Sequence, residues 1–162
     1  MAGKESPWTL SSRVLAGSGV LLIGLGLYFL FLRSTLLPED IRYMNLTPAE
    51  LQSIGPRLGP WLTHVFRVMG GYIAATGILA VTLATTSFRE HHPVAAFGAM
   101  LGGAVSIGWM AVVNFMIGSD FKWVLLGMAL VWACGLLLFI RERALSSGKG
   151  RAVLPRTDAG IM

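Results

Sequence analysis

The chain has little charge and a single cysteine. Charged residues make up 13% of its 162 residues, about half the share of an ordinary soluble domain. Hydrophobic residues make up 54%, and the few charges are grouped between long apolar runs. This pattern excludes a typical soluble domain and indicates a polytopic membrane protein. Because Cys134 has no partner, an intrachain disulfide and dithiol exchange are excluded.

Ionisable groups are missing from the apolar runs, and their absence argues against several chemistries. No aspartate or glutamate lies inside a run, which disfavours a proton-coupled pump or exporter. His64 is predicted to lie at the opposite end of the bundle from His91 and His92. One chain therefore cannot place two histidines on opposite sides of a haem. Neither a metal site nor a phosphate loop nor a nucleophile–base pair is indicated. No catalytic residue and no cofactor is therefore assigned, and the sequence does not favour an enzyme.

Four apolar runs predict an all-α fold, an integral membrane four-helix bundle. At 1.5 Å per residue each run approaches the ~30 Å hydrocarbon core. The predicted transmembrane domain covers residues 1–143, with helices at about 14–32, 62–88, 94–118 and 122–140. Pro93 suits the first position of the third helix, and Ser119 or Asp120 can cap the fourth. Residues 144–162 are predicted to form a disordered, basic cytoplasmic tail.

The first loop, residues 34–60, contains a helix-start signal. In Thr47-Pro48-Ala49-Glu50 the threonine can cap, the proline occupies the first helical position and the glutamate can reach back. A short interfacial helix on the outer membrane surface is predicted here.

Basic residues predict the orientation. The side that holds both termini and the turn at residues 89–93 carries more arginine and lysine than the side that holds the first loop. Both termini are therefore predicted to be cytoplasmic. Arginine outnumbers lysine, which suggests a bacterial inner membrane. The formal net charge of +5 flanks membrane runs, so the predicted partner is the lipid bilayer and not nucleic acid.

Small residues at four-residue spacing predict how the helices pack. In lipid, helices associate where small side chains let their backbones approach. The third helix, which is richest in small residues, is predicted to be the most buried, with a homodimer interface as the alternative. The predicted helix-packing glycines are Gly70, Gly71, Gly98, Gly102, Gly103 and Gly108.

Four polar or aromatic residues are predicted to meet near the outer end of the bundle: Tyr28, His64, Arg67 and Asn114. One interpretation is that Arg67 anchors the helix at the membrane surface. The other is a ligand-binding pocket in which Arg67 binds an anionic ligand or one of the acidic residues Glu39, Asp40, Glu50 and Asp120.

The segment with Arg67, Gly70-Gly71 and Gly77 resembles the second helix of small DoxX-like four-helix bacterial membrane proteins. Some of those relatives carry a His-Asp-Arg arrangement, from which His64-Val65-Phe66-Arg67 departs. DoxX-like proteins include subunits of quinone-linked oxidoreductases. The resemblance therefore implies an accessory subunit, with quinone as a conceivable cofactor.

The leading hypothesis is a non-enzymatic interaction or accessory subunit, within a larger membrane complex or as a homo-oligomer. The first alternative is a quinone- or lipid-binding subunit of a membrane oxidoreductase. The second is a small oligomeric transporter.

Cysteine labelling tests the orientation. In a Cys134→Ser background, we expect Ser53→Cys to react with a membrane-impermeant thiol reagent in intact cells, because the basic bias places the first loop outside. Ser147→Cys should react only after permeabilisation. Labelling of Ser147→Cys in intact cells would reverse the assignment.

Overall fold

Helices form all of the regular structure that the computed structural model describes, which covers residues 8–152 except the side chains of residues 48, 51, 52 and 148–152. Four of them are long and apolar enough to cross a membrane, which confirms the four-helix membrane architecture. In chain order the helices are α1 (Leu10–Leu32), α2 (Pro38–Met44), α3 (Pro48–Ile54), α4 (Leu58–Thr85), α5 (Pro93–Met116) and α6 (Lys122–Ala152).

The helix starts follow local signals. Thr9 caps α1 by accepting the Ser12 backbone N–H, and Pro93 occupies the first turn of α5 as predicted. The predicted capping box also forms, because Thr47 accepts from Glu50 and the Glu50 carboxylate accepts from Thr47. The Thr47 backbone N–H, and then its hydroxyl, hold the pKa of Glu50 below its usual value.

Both ends of the chain's membrane domain are more helical than the apolar runs predicted. α1 begins at Leu10 because Thr9 caps a polar first turn, and α6 continues to Ala152. The sequence predicted disorder from residue 144 onward, whereas the structure describes residues 144–152 as the end of α6. Residues 153–162 lie outside the described part of the chain.

Two helical turns are π-helical, Tyr28–Leu32 at the end of α1 and Ala104–Gly108 within α5. In the first, the Arg33 backbone N–H donates to the Tyr28 carbonyl oxygen at 2.8 Å. Such wider turns displace the following residues around the helix and occur often at functional sites.

The closest helix contact joins α1 and α4 through glycines. Gly19 and Gly26 lie seven residues apart on α1, as do Gly70 and Gly77 on the antiparallel α4. A Cβ added at Gly19 would lie 2.8 Å from the Gly77 carbonyl oxygen, and one at Gly26 would lie 2.7 Å from that of Gly70. Any side chain here would force the backbones apart, so these glycines set the helix separation.

The other two membrane helices, α5 and α6, complete the bundle around this pair. α6 also packs on α1, and α5 packs mainly on α6 and meets α4 only sparsely. The buried Trp132 of α6 donates its indole N–H to the Ala99 carbonyl oxygen of α5 at 2.9 Å. A gap consequently remains between α4 and α5.

The prediction that α5 is the most buried helix is wrong. Only 22% of its most apolar window is buried, against 28% for α1 and α4. Gly103 packs against the Trp132 indole, whereas Gly98 and Gly102, like Gly71 on α4, have open space where a Cβ would lie. Gly108 lies against the Gly103 carbonyl of its own helix. Small residues therefore also occur on faces of α5 that the other helices of the same copy leave open.

A carboxylate joins three segments at the end of the bundle that holds residues 8–12 and the turn at 86–92. Glu142 of α6 accepts the backbone N–H of Ser11 at 3.1 Å and its hydroxyl at 2.5 Å. The His91 Nε2 lies 3.3 Å from the same carboxylate, and its ring stacks on Phe139. These bonds hold the start of α1 and the α4–α5 turn against α6.

The neighbouring glycines Gly70 and Gly71 provide a matched test of the glycine contact. We expect Gly70→Ala to destabilise the bundle by about 1–3 kcal/mol, because the methyl would collide with the backbone of α1. Gly71→Ala should be neutral or slightly stabilising, because its methyl meets open space and alanine favours helix. Thermal unfolding in detergent measures both, and equal effects would contradict the packing.

Candidate functional site: a cleft between the membrane helices

The gap between α4 and α5 forms a cleft with α1 as its floor. Its volume is about 670 Å³, within the range of pockets that hold small organic ligands. It extends from α2 inward to Leu22 of α1, Thr76 of α4 and Ser106 of α5. From Arg33 to Leu22 this is about 16 Å along the helix axis, or half of the hydrocarbon core. Tyr72, Val105 and Trp109 line the cleft and are exposed, so it opens sideways between α4 and α5.

The polar mouth of the cleft is built around Arg33. Its side chain is only 6% exposed and forms a 3.0 Å ion pair with Asp40 of α2. One guanidinium nitrogen also donates to the carbonyl oxygens of Ser34 and Thr35, at 3.0 and 3.3 Å. The guanidinium carbon lies 3.5 Å from the ring centroid of Phe66, a cation–π contact with α4. Arg33 therefore ties the end of α1 to both α2 and α4.

Asp40 connects this ion pair to the start of α2. The same carboxylate oxygen that binds Arg33 accepts the backbone N–H of Leu37 at 2.9 Å. It thereby satisfies a free donor at the helix N-terminus, where a negative charge is also favourable. The consequence is that α2 lies across the mouth of the cleft.

A second carboxylate at the mouth, that of Glu39, is almost without partners. Glu39 is 3% exposed and accepts one hydrogen bond, from the Ser119 hydroxyl at 3.3 Å. That hydroxyl also accepts the Phe121 backbone N–H at 3.1 Å, in the turn just before α6 begins at Lys122. Glu39 therefore joins α2 to the α5–α6 turn and lies on the cleft wall.

The structure separates the four residues that the sequence placed together. Tyr28 and Asn114 line the cleft, and the Asn114 amide donates to the Met110 carbonyl oxygen of its own helix at 2.9 Å. His64 and Arg67 are exposed and do not line it. The exposure of Arg67 favours the interpretation as a surface anchor.

The four carboxylates that were candidate partners of Arg67 make other bonds. Asp40 pairs with Arg33, and Asp120 pairs with Arg42 at 2.8 Å on the exposed surface. Glu50 caps α3, and Glu39 accepts from Ser119.

Sequence reasoning missed Arg33 and Ser119 as site residues, and it considered Glu39 only as one of four candidate partners of Arg67. A signal for α2 was present, because Pro38-Glu39-Asp40 follows the same helix-start pattern as Pro48-Ala49-Glu50. Asp40 at the third helical position is suited to accept free backbone N–H groups there. The pairing of Arg33 with Asp40 could have been proposed once α2 was recognised.

The cleft offers hydrogen-bonding and apolar surface rather than metal chemistry. No group of three or more histidine, cysteine, aspartate or glutamate residues that could hold a metal ion occurs within the part of the chain that the structure describes. No protein-family model, curated protein or solved structure matches this chain significantly. The resemblance to DoxX-like proteins accordingly stays an expectation from sequence.

Two arginine-to-lysine variants compare the nearly buried Arg33 at the mouth of the cleft with the exposed Arg67. We expect Arg33→Lys to lower thermal stability by about 1–3 kcal/mol, because lysine keeps the charge but loses the planar stack on Phe66 and the forked donors. Arg67→Lys should change stability by less than about 0.5 kcal/mol, because both side chains can reach the interface. Unfolding in lipid nanodiscs measures both. A loss of stability in Arg67→Lys that clearly exceeds this value would indicate that Arg67 belongs to the site after all.

Proposed function

We propose that this protein is a non-enzymatic subunit of the bacterial inner membrane that binds an amphiphilic, lipid-soluble ligand in the cleft. Its termini would lie in the cytoplasm, with α2, α3 and the mouth of the cleft on the outer side. This combines the leading hypothesis, a non-enzymatic accessory subunit, with the ligand class of the first alternative, the quinone- or lipid-binding subunit of a membrane oxidoreductase.

The distribution of polarity along the cleft carries the proposal. The inner part is lined by apolar side chains such as Leu22, Ile73 and Val105, and the mouth by Arg33, Glu39 and Ser119. A ligand with an apolar tail and a polar head matches both parts, since ligand sites combine apolar walls with few polar groups. The sideways opening gives such a molecule a route from the bilayer.

The two π-helical turns further support a binding role. Each contributes to the wall, the first through Tyr28 and Phe29 and the second through Val105 and Ser106. π-helical turns weaken regular backbone hydrogen bonding and are frequent at functional sites. The occurrence of both turns in the lining of one cleft, one in the floor and one in a wall, favours a site over a packing defect.

The open glycine face of α5 favours the interaction hypothesis as a second role. Gly98 and Gly102 lie one turn apart, and neither has a neighbour where its Cβ would be. Small residues at this spacing allow another helix to approach closely. Such a contact would join the protein to a larger complex or to a second copy.

A cleft-filling substitution tests ligand binding. Thr76 lines the cleft, whereas the adjacent Ala75 is exposed and does not. We expect wild-type protein and Ala75→Trp to retain a small amphiphile through purification in mild detergent, and Thr76→Trp to lose most of it because the indole occupies the tail-binding volume. Mass spectrometry of organic extracts measures retention and identifies lipid or quinone.

Thermal unfolding of both tryptophan variants provides the folding control. Equal retention by the two variants, or no retained molecule in any sample, would contradict ligand binding in the cleft.

A further inference from the structure

The charges at the mouth of the cleft determine which charge the head group of a bound ligand can carry. Arg33 carries the positive charge there, and Glu39 and Asp40 carry two negative charges. Asp40 and the carbonyl oxygens of Ser34 and Thr35 already occupy the terminal nitrogens of the Arg33 guanidinium. Its buried Nε has no acceptor among the described residues, but the charge of the guanidinium is already paired with Asp40, so an anionic head would meet a neutralised arginine and a further carboxylate.

Glu39 is the group at the mouth that lacks a counter-charge. Among the side chains that the structure describes, no basic group lies within 4.0 Å of its carboxylate, and the bond from Ser119 is long at 3.3 Å. A carboxylate has about four acceptor positions, and removing one from water is costly unless it is paired. With Glu39 only 3% exposed, a positively charged group in the cleft would supply the missing partner.

Aromatic side chains around the same space favour a cation as well. Rings attract cations through their faces, and more strongly where water is excluded. The guanidinium of Arg33 already uses the face of Phe66 in this way. The aromatic lining of the cleft consists of Tyr28, Phe29, Phe66, Tyr72, Trp109 and Phe121.

We propose that the ligand of the cleft is a lipophilic cation, an amphiphile whose ammonium head binds the Glu39 carboxylate among the aromatic rings. Its apolar tail lies along Leu22, Ile73 and Val105 toward the middle of the membrane. This inference rests on the proposed function, because it assigns the head group of the molecule that the cleft binds.

Three probes with the same tail test the assignment: dodecyltrimethylammonium, dodecanol and dodecyl sulfate. Binding is measured with radiolabelled probe and protein in nanodiscs of zwitterionic lipid. The amount bound to empty nanodiscs is subtracted. We expect saturable binding of dodecyltrimethylammonium, at least about tenfold tighter than that of dodecanol, because loss of a buried charge partner typically costs this much or more. Dodecyl sulfate should bind more weakly than dodecanol.

The role of Glu39 is tested with Glu39→Gln, and the control is Glu50→Gln on the exposed surface of α3. Glu39→Gln should weaken binding of the ammonium probe by about tenfold or more and leave dodecanol binding within about twofold. Glu50→Gln should bind all three probes as the wild type does. If Glu39→Gln does not fold, Glu39→Asp keeps the charge, and the comparison of probes on the wild type remains decisive.

The outcomes separate this inference from the proposed function. Saturable dodecanol binding with no preference for the ammonium probe would overturn the cation and leave the ligand cleft standing. An ammonium preference unchanged in Glu39→Gln would overturn the assignment to Glu39. Absence of saturable binding by every probe would overturn the ligand cleft itself.

Discussion

The glycine contact between α1 and α4 is the constraint on which the rest of the bundle depends. Without a hydrophobic force between helices in lipid, backbone approach at Gly19, Gly26, Gly70 and Gly77 holds this pair together. α6 also packs on α1, and α5 packs mainly on α6, so α5 and α4 meet only sparsely. The cleft follows from this order of packing.

Arg33 converts that opening into a chemically defined site. It leaves α1 at the π-helical turn, stacks on Phe66 of α4 and pairs with Asp40, which also caps α2. α2 is thereby fixed across the mouth, where Glu39 reaches Ser119. The same bonds that stabilise the loop leave the buried Glu39 carboxylate without a cation among the described side chains, and this connects the architecture to the proposed ligand.

The sequence predicted the features that depend on local composition. Length and hydropathy define the four spans, and Pro93 and Thr47 mark helix starts through their own backbone chemistry. It could not separate Gly70 from Gly71, because the rotation of α4 against α1 decides which of two adjacent glycines is in contact. Arg33 was missed, and Glu39 was given the wrong partner, for a similar reason, since the true partners meet only when the loop folds back over the bundle.

Oxygen accessibility of spin labels, measured by electron paramagnetic resonance in nanodiscs, tests most directly whether the cleft is open to the bilayer. The labelled positions are Thr76 and Ser106 in the cleft, Leu79 on the exposed surface of α4, and Ile107, which is 2% exposed within the bundle. The expected result is that Thr76 and Ser106 resemble Leu79, because the membrane reaches them between α4 and α5. Values that match Ile107 would mean that α4 and α5 close on each other, and would contradict the cleft.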